Sequence, residues 1–256
     1  MATHEEIIAR IYVPLNMGAY SDNMLPKLIQ YALQNNWMGR HIVVLGSGTG
    51  RGLAWIARHG YILTAVEKSP EMLALAQSNV ETSRSNINWQ RQDLLDLSNI
   101  RNMDLVLAID VFAEVDGLKM LEHAFERIFG TLREGRLLIF DLPTIEGLVT
   151  QHYEGDRLAL DSDNLTVFVR NQYDFERNVL SQRFLIMAHD ANDTWHRHEV
   201  QRTLRAYPIQ AVVALLRRKG FQVSALLTPD MKPYEPGAAG IGRVVFVAHT
   251  EPTTAT

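Results

Sequence analysis

Between residues 41 and 141 the chain alternates short apolar runs with segments whose apolar residues recur at helical spacing. His41–Leu45 (HIVVL) and Tyr61–Val66 (YILTAV) have strand length and β-branched character. Each hands over to a helical pattern, as in Leu53, Ile56 and Ala57 after the first run. Upstream, Leu25, Leu28, Ile29, Ala32 and Leu33 predict a helix over 22–37, and residues 1–10 turn from polar to helical. Strands that alternate with helices imply a parallel sheet.

The pattern changes after residue 141. Leu165–Phe175, Leu180–His189 and Thr194–Tyr207 are β-rich and alternating, with turn chemistry at 176–178 and 190–193. They predict an antiparallel β cap inserted after the fifth strand. Ligands of open α/β sheets lie outside the carboxyl ends of the strands, so such an insert roofs a substrate site. Two last strands follow, Phe221–Leu227 and Arg243–His249. Pro229–Gly242 between them holds three prolines and three glycines, a loop composition with no room for a crossover helix. The last strand is therefore expected to run antiparallel to its neighbours.

The first strand enters a glycine-rich turn, Gly46-Ser47-Gly48-Thr49-Gly50. Glycine there permits positive φ and lets a ligand approach the backbone. The second strand delivers Glu67 to the same sheet edge, where a carboxylate can accept two hydrogen bonds from a ribose diol. Together they describe a nucleoside-binding βαβ unit. The dinucleotide fingerprint G-x-G-x-x-G fails in both frames, at Arg51 and at Leu53; the pattern present is G-x-G-x-G.

That turn resembles motif I of class I S-adenosylmethionine-dependent methyltransferases. The family usually has an acid two residues before the first glycine; here it is Val44. Ala65–Leu73 is similar to the family's "G-V-D-x-S-P-E-M-L" segment, and Gln90–Leu94 to its "x-x-G-D" segment. Met103–Asp110 resembles the "F-D-L-V" strand, Leu132–Asp141 the "L-x-P-G-G" turn with the fifth strand, and Leu215–Phe221 the "L-L-x-x-A-G-F" helix end. The resemblance implies a Rossmann-like seven-stranded α/β sheet in the order 3-2-1-4-5-7-6. It also implies S-adenosylmethionine as cofactor and S-adenosylhomocysteine as product. It sets Gly46, Ser47, Gly48 and Gly50 against the methionine part, Glu67 at the ribose, and Lys68, Met72, Asp93 and Leu94 around the adenine. Ile109 and Asp110 would lie beside the transferred methyl. Tyr12 and Tyr20, before the helix leading to motif I, look like the "Y-D…Y" lid of small-molecule members, with Val13 where an Asp is usual. With the β-rich cap and the final Gly242–Val247 strand, the chain is similar to deoxyaminosugar N-methyltransferases.

Other residues keep two readings. Asp93 either meets the adenine or caps the following turn. Asp110 either holds or deprotonates the acceptor, or caps the next helix. Arg205 either binds a substrate anion or pairs with a surface acid. His196 and His198 share a strand face, as surface or substrate-facing side chains; no third ligand is evident and no metal is expected.

The chain has 256 residues, 46% hydrophobic and 21% charged, enough for a sizeable core. Its net charge of −4 argues against non-specific nucleic-acid binding. No apolar run is long enough to span a bilayer, and the N-terminus lacks a signal-peptide pattern. No cysteine is present, so disulfides, thiolate metal sites and Cys nucleophiles are excluded. A cytoplasmic location fits. The expected organisation is one methyltransferase domain: a lid and helix over 1–38, core over 39–141 and 208–250, cap over 142–207, and a disordered tail over Thr250–Thr256. The expected activity is methyl transfer to a nitrogen, or less favoured an oxygen, of a small molecule, with no nucleic-acid or membrane partner and a homodimer left open. The alternatives are a non-catalytic cofactor-binding member of the fold and, behind it, an NAD(P)-dependent dehydrogenase. Asp110-Val111-Phe112-Ala113 does not resemble the "N-P-P-Y" motif used on planar amides and bases.

Overall fold

A computed structural model describes residues 3–80, 87–190 and 192–251. Two helices come first, α1 (His4–Tyr12) and α2 (Ala19–Gln34). The alternating region follows as β1 (His41–Leu45), α3 (Arg51–Arg58), β2 (Ile62–Glu67), α4 (Pro70–Val80), β3 (Ile87–Arg91), β4 (Met103–Ala108), α5 (Gly117–Phe129) and β5 (Leu132–Pro143). Next comes α6 (Ile145–Tyr153), then β6 (Arg157–Ser162), β7 (Leu165–Asp174), β8 (Val179–His189) and β9 (Trp195–Arg205). The chain closes with α7 (Ile209–Arg218), β10 (Phe221–Leu227) and β11 (Arg243–Thr250).

Seven strands form one sheet in the order β3-β2-β1-β4-β5-β11-β10. β1 to β5 are parallel, and β11 runs antiparallel to both β5 and β10, as the loop composition predicts. Both faces of this sheet are covered, which is why its strands read as continuous apolar runs. Val43 and Leu45 of β1 join Phe112, Phe125, Phe140 and Phe246 under α5 and α7. Ile42 and Val44 point the other way, into a core with Met24, Leu25 and Leu28 of α2. The rings of Phe140 and Phe246, opposite each other on β5 and β11, stack with centroids 4.7 Å apart.

The insertion is an antiparallel sheet in the order β6-β7-β8-β9. Three of its strands match the sequence reading to within two residues. The helix α6 and the edge strand β6 are additions that the pattern does not show. Only Leu148 of α6 is fully buried, and β6 has no fully buried residue, so neither carries a clear apolar period. The inner face of the cap, including Val167, Val169, Phe184, Ile186 and Val200, packs on Ile7 and Ile11 of α1. The N-terminal helix and the cap thus form one layer over the carboxyl edge of the main sheet. α1 is opened by a reciprocal capping box, with Thr3 Oγ1 accepting from Glu6 N and Glu6 Oε2 accepting from Thr3 N.

The helix expected over 22–37 runs from Ala19 to Gln34, so Tyr20 lies in its first turn. Thr250, expected in a disordered tail, is the last residue of β11. Its Oγ1 donates to Arg133 O, and its backbone pairs opposite Phe221. Residues 252–256 of that tail lie outside the described residues. Among the described residues, no helix is long and apolar enough to cross a membrane.

Candidate active site

The three glycines of the turn all have positive φ: +78° at Gly46, +54° at Gly48 and +79° at Gly50. They serve different neighbours. A Cβ on Gly46 would stand 2.7 Å from Val111 Cγ2, so this glycine admits the loop after β4. A Cβ on Gly50 would stand 2.5 Å from Ala76 O, so this one admits the backbone of α4. A Cβ on Gly48 would meet nothing nearer than Ser21 Oγ at 3.5 Å and Tyr12 Oη at 3.7 Å. Gly48 therefore opens onto free space, and a side chain there would enter it.

That space is a cavity of about 400 Å³ at the carboxyl ends of β1, β2, β3 and β4. Gly46 and Gly48 form part of its wall, with Glu67, Lys68 and Met72 after β2 and Asp93 and Leu94 after β3. Ile109 and Asp110 enter from the end of β4, and Tyr12 from the end of α1. The cap contributes Arg202, the one residue of the insertion in this wall among the described residues.

Glu67 Oε2 accepts from Ser47 N at 3.2 Å, and its Oε1 from Ser69 N at 3.1 Å. Burial pushes this carboxyl above its ordinary value, against the pull of those backbone donors. Ser47 itself is buried behind the turn, where its N–H and hydroxyl turn to Glu67. Asp93 caps the turn that follows it and also lines the cavity. Its Oδ1 accepts from Leu95 N at 2.9 Å. The Oε1 of neighbouring Gln92 is buried with no hydrogen-bond partner among the described residues.

Asp110 sits in the left-handed region at φ +59°, with its N–H donating to Asp141 Oδ1 at 2.8 Å. Its Oδ1 lies 2.7 Å from Arg243 Nη2, and its Oδ2 lies 3.5 Å from Arg202 Nη2. Arg202 also pairs with Glu114 at 2.6 Å, and Arg243 with Asp141. Burial opposes the charge on Asp110, yet Arg243 and Arg202 hold its carboxyl below the usual carboxylate range. Asp141 is fully buried, and burial carries it upward. A carboxylate held down by two guanidiniums is a hydrogen-bond acceptor and a weak proton acceptor. Asp110 thus lines the cavity as a paired carboxylate.

Burial raises the Tyr12 and Tyr20 phenols well above their ordinary range, so both remain protonated donors. Only Tyr12 reaches the cavity. Tyr20 lies under the Arg243 guanidinium, 4.6 Å from Cζ to the ring centroid, with its hydroxyl buried.

Ser47, Gly50 and Tyr20 therefore stand behind the cavity wall rather than in it. His196, His198 and Arg205 also fall outside. His196 Nε2 lies 2.8 Å from Asp190 Oδ2, near the solvent-exposed start of β9. The His196 and His198 ring centroids are 6.4 Å apart. Arg205 follows its second reading and pairs with Asp116 at 2.8 Å. Among the described residues, no group of three or more His, Cys, Asp or Glu side chains could hold a metal. Sequence reasoning misses Arg202 and the acids Glu5, Glu114 and Asp116 of the wall, and Arg243 behind it. The arginines had a signal: Arg202 interrupts the buried face formed by Val200 and Leu204, and Arg243 precedes the apolar run Val244–Ala248.

The donor set suits an adenosyl group with an amino-acid tail. A carboxylate ends β2, a side-chain-free turn opens onto the cavity, and Met72 and Leu94 supply apolar walls. Known proteins agree. A protein named as a methyltransferase from Geobacillus sp. (strain WCH70) is 25% identical over 232 residues, 90% of this chain and 91% of its own. A solved S-adenosylmethionine-dependent methyltransferase from Clostridium acetobutylicum superimposes with a TM-score of 0.79 at 20% identity, covering 96% of this chain and 98% of its own. Residues 42–135 match the family model described as a methyltransferase domain. Over those residues the chain carries a methyltransferase domain, and its fold is that of solved S-adenosylmethionine-dependent methyltransferases. Its fold also matches the sugar N-methyltransferase KedS8 from Streptoalloteichus sp., with a TM-score of 0.64 at 20% identity over 98% of this chain and 88% of that one.

Proposed function

We propose that the methyltransferase acts on the nitrogen of an amine carried by a small molecule. The observation that carries this reading is the charge of the cavity wall. Glu5, Glu67, Asp93, Asp110, Glu114 and Asp116 face it, against Lys68 and Arg202 in the wall and Arg205 and Arg243 behind it, each paired with one of these acids. Such a wall attracts a cationic acceptor and repels an anionic one. The roof of α1 and β9 supports a small acceptor, because a folded protein or a duplex would not pass beneath it. The likeness in fold to a sugar N-methyltransferase supports nitrogen.

In this reading Glu67 receives the ribose hydroxyls, Gly46 and Gly48 lie against the methionine portion, and Asp93 meets the adenine. Lys68, Met72 and Leu94 border the ring, and Ile109 packs near the methyl. S-adenosylmethionine supplies a methyl on a positively charged sulfur, already electrophilic. The protein then has to align the acceptor and exclude water. Asp110 accepts a hydrogen bond from the acceptor N–H and orients it. Arg202 and Arg243 keep that carboxylate ionised, and Tyr12 closes the wall as a neutral donor. The bound ammonium first loses a proton to water, and the neutral amine then attacks the methyl carbon as the methyl–sulfur bond breaks, so no strong base is required.

The test is methyl-labelled cofactor offered with small amines, small alcohols, bulk protein and bulk RNA. Label on a small amine supports the reading. Label on an alcohol moves the reaction to oxygen, and label only on macromolecules overturns the small-molecule reading.

A further inference from the structure

β1 brings no carboxylate to the glycine turn, because Val44 is buried among apolar side chains of α2. The turn receives one from α2 instead. Asp22 Oδ2 accepts from Thr49 Oγ1 at 2.6 Å, and Asp22 Oδ1 accepts from Gly52 N at 3.0 Å. Gly52 N–H is among the first donors of α3, which have no partner within the helix. The N-cap of α3 is Gly50, which offers no side chain. Asp22 therefore caps α3 from another helix.

The approach of α2 that makes this contact is built into the chain. A Cβ on Gly18 would stand 2.5 Å from Thr49 Cγ2, and a Cβ on Gly52 would stand 2.6 Å from Leu25 Cδ1. Two further ties hold the turn: Asn79 Nδ2 of α4 donates to Thr49 O at 2.8 Å, and Glu67 accepts from Ser47 N. Both come from the core. Asp22 is the tie that comes from the N-terminal segment, and the same segment sets Tyr12 and Ser21 beside Gly48.

We propose that Asp22 is a positioning residue. It fixes the glycine turn for the cofactor and links the order of that turn to the docking of α1 and α2 over the cavity. The inference rests on S-adenosylmethionine as cofactor. Because one segment both clamps and covers the turn, cofactor binding and closure of the N-terminal helices share one coupling free energy. Disturbing the clamp weakens both together.

The full chain is titrated with S-adenosylhomocysteine by calorimetry, as wild type, Asp22→Ala, Asp22→Asn and Thr49→Val. Hydrogen exchange follows residues 8–22 and 46–54 with and without this ligand. Asp22→Ala should weaken binding about tenfold or more, the scale of hydrogen bonds to a charged acceptor. Thr49→Val, which removes one of the two bonds, should fall between. Asp22→Asn keeps an acceptor for Gly52 N and a donor for Thr49 Oγ1, and should recover most of the loss. In wild type the ligand should protect both segments; in Asp22→Ala protection of 8–22 should be lost even where the turn still responds. Should Asp22→Ala fail to fold, Thr49→Val and Asp22→Asn carry the comparison. Wild-type affinity in both Asp22→Ala and Thr49→Val, or undiminished protection of 8–22 in the clamp variants, overturns the proposal. Absence of binding by wild type would instead overturn the cofactor assignment.

Discussion

Arg243 Nη2 stands 2.7 Å from Asp110 Oδ1, tying the first residue of the last strand to the loop that leaves β4 at the cavity wall. The same guanidinium pairs with buried Asp141 and covers the ring of Tyr20. The site thus depends on a contact between residues 133 positions apart in the chain (243 − 110).

Asp110 is therefore expected to act as an ionised acceptor. Its carboxyl titrates lower in the fold than the unfolded value of about 3.9, so it contributes nothing to a rate profile between about pH 6 and about pH 9. Asp110→Asn should lower kcat and leave the apparent pKa values of that profile in place. An inflection lost in the variant would make Asp110 the base.

Arg243→Met should destabilise the protein by about 3–5 kcal/mol in chemical denaturation near pH 7, because it leaves Asp110 and Asp141 buried without the guanidinium that joins them. The depressed pKa of Asp110 contributes stability that is present above its unfolded pKa and is lost as pH falls through its folded one. The wild-type advantage over Arg243→Met should therefore shrink toward acid pH.

Glu67 predicts a proton linkage. Burial raises its carboxyl above the ordinary value of 4.5, and hydrogen bonds from a ribose diol favour the ionised form. Binding of S-adenosylhomocysteine should expel protons in the window just above pH 4.5, and affinity should rise with pH through it. Calorimetry in two buffers of different ionisation enthalpy measures the release. Glu67→Gln should abolish it, and Glu67→Ala should cost on the order of 1.5–3 kcal/mol of binding.

Gly48 and Gly50 should separate ligand binding from stability. Alanine at either residue meets about 1–2 kcal/mol of left-handed strain. Gly50→Ala also drives a Cβ against Ala76 O, so its larger loss should appear in denaturation. Gly48→Ala places a methyl at the cavity wall, so its larger loss should appear in cofactor affinity. Equal profiles for the two variants would contradict this division.

Arg202 is the reach of the cap into the cavity. Arg202→Met should raise KM for the acceptor more than it weakens cofactor binding. A double-mutant cycle with Glu114 should return about 0.5–3 kcal/mol of coupling. No coupling would leave the ion pair without energetic weight.

The core sheet was legible because burial on both faces leaves unbroken apolar runs such as HIVVL, and because the loop Pro229–Gly242 excludes a crossover helix. The glycine turn and Glu67 were legible for the same reason: backbone conformation and strand position are local properties. What escaped the sequence is not local. Ser47, Gly50 and Tyr20 are near the turn in sequence, but which side of it they face depends on α4, Glu67 and Arg243. Arg202 and Arg243 look like solvated charges until the strands that carry them are brought to Asp110. His196 and His198 share the parity of Arg202, yet their end of β9 lies beyond the cavity. β6 and α6 escaped because half-exposed edge elements have weak periodicity.

The most direct test of the account is a crystal structure of the full chain with S-adenosylhomocysteine. The account predicts the ribose hydroxyls on Glu67, the homocysteine portion along Gly46 and Gly48, the adenine beside Asp93, and the sulfur directed toward the space between Asp110 and Arg202. A nucleoside bound elsewhere, or bound with Glu67 still held only by Ser47 and Ser69, would contradict it.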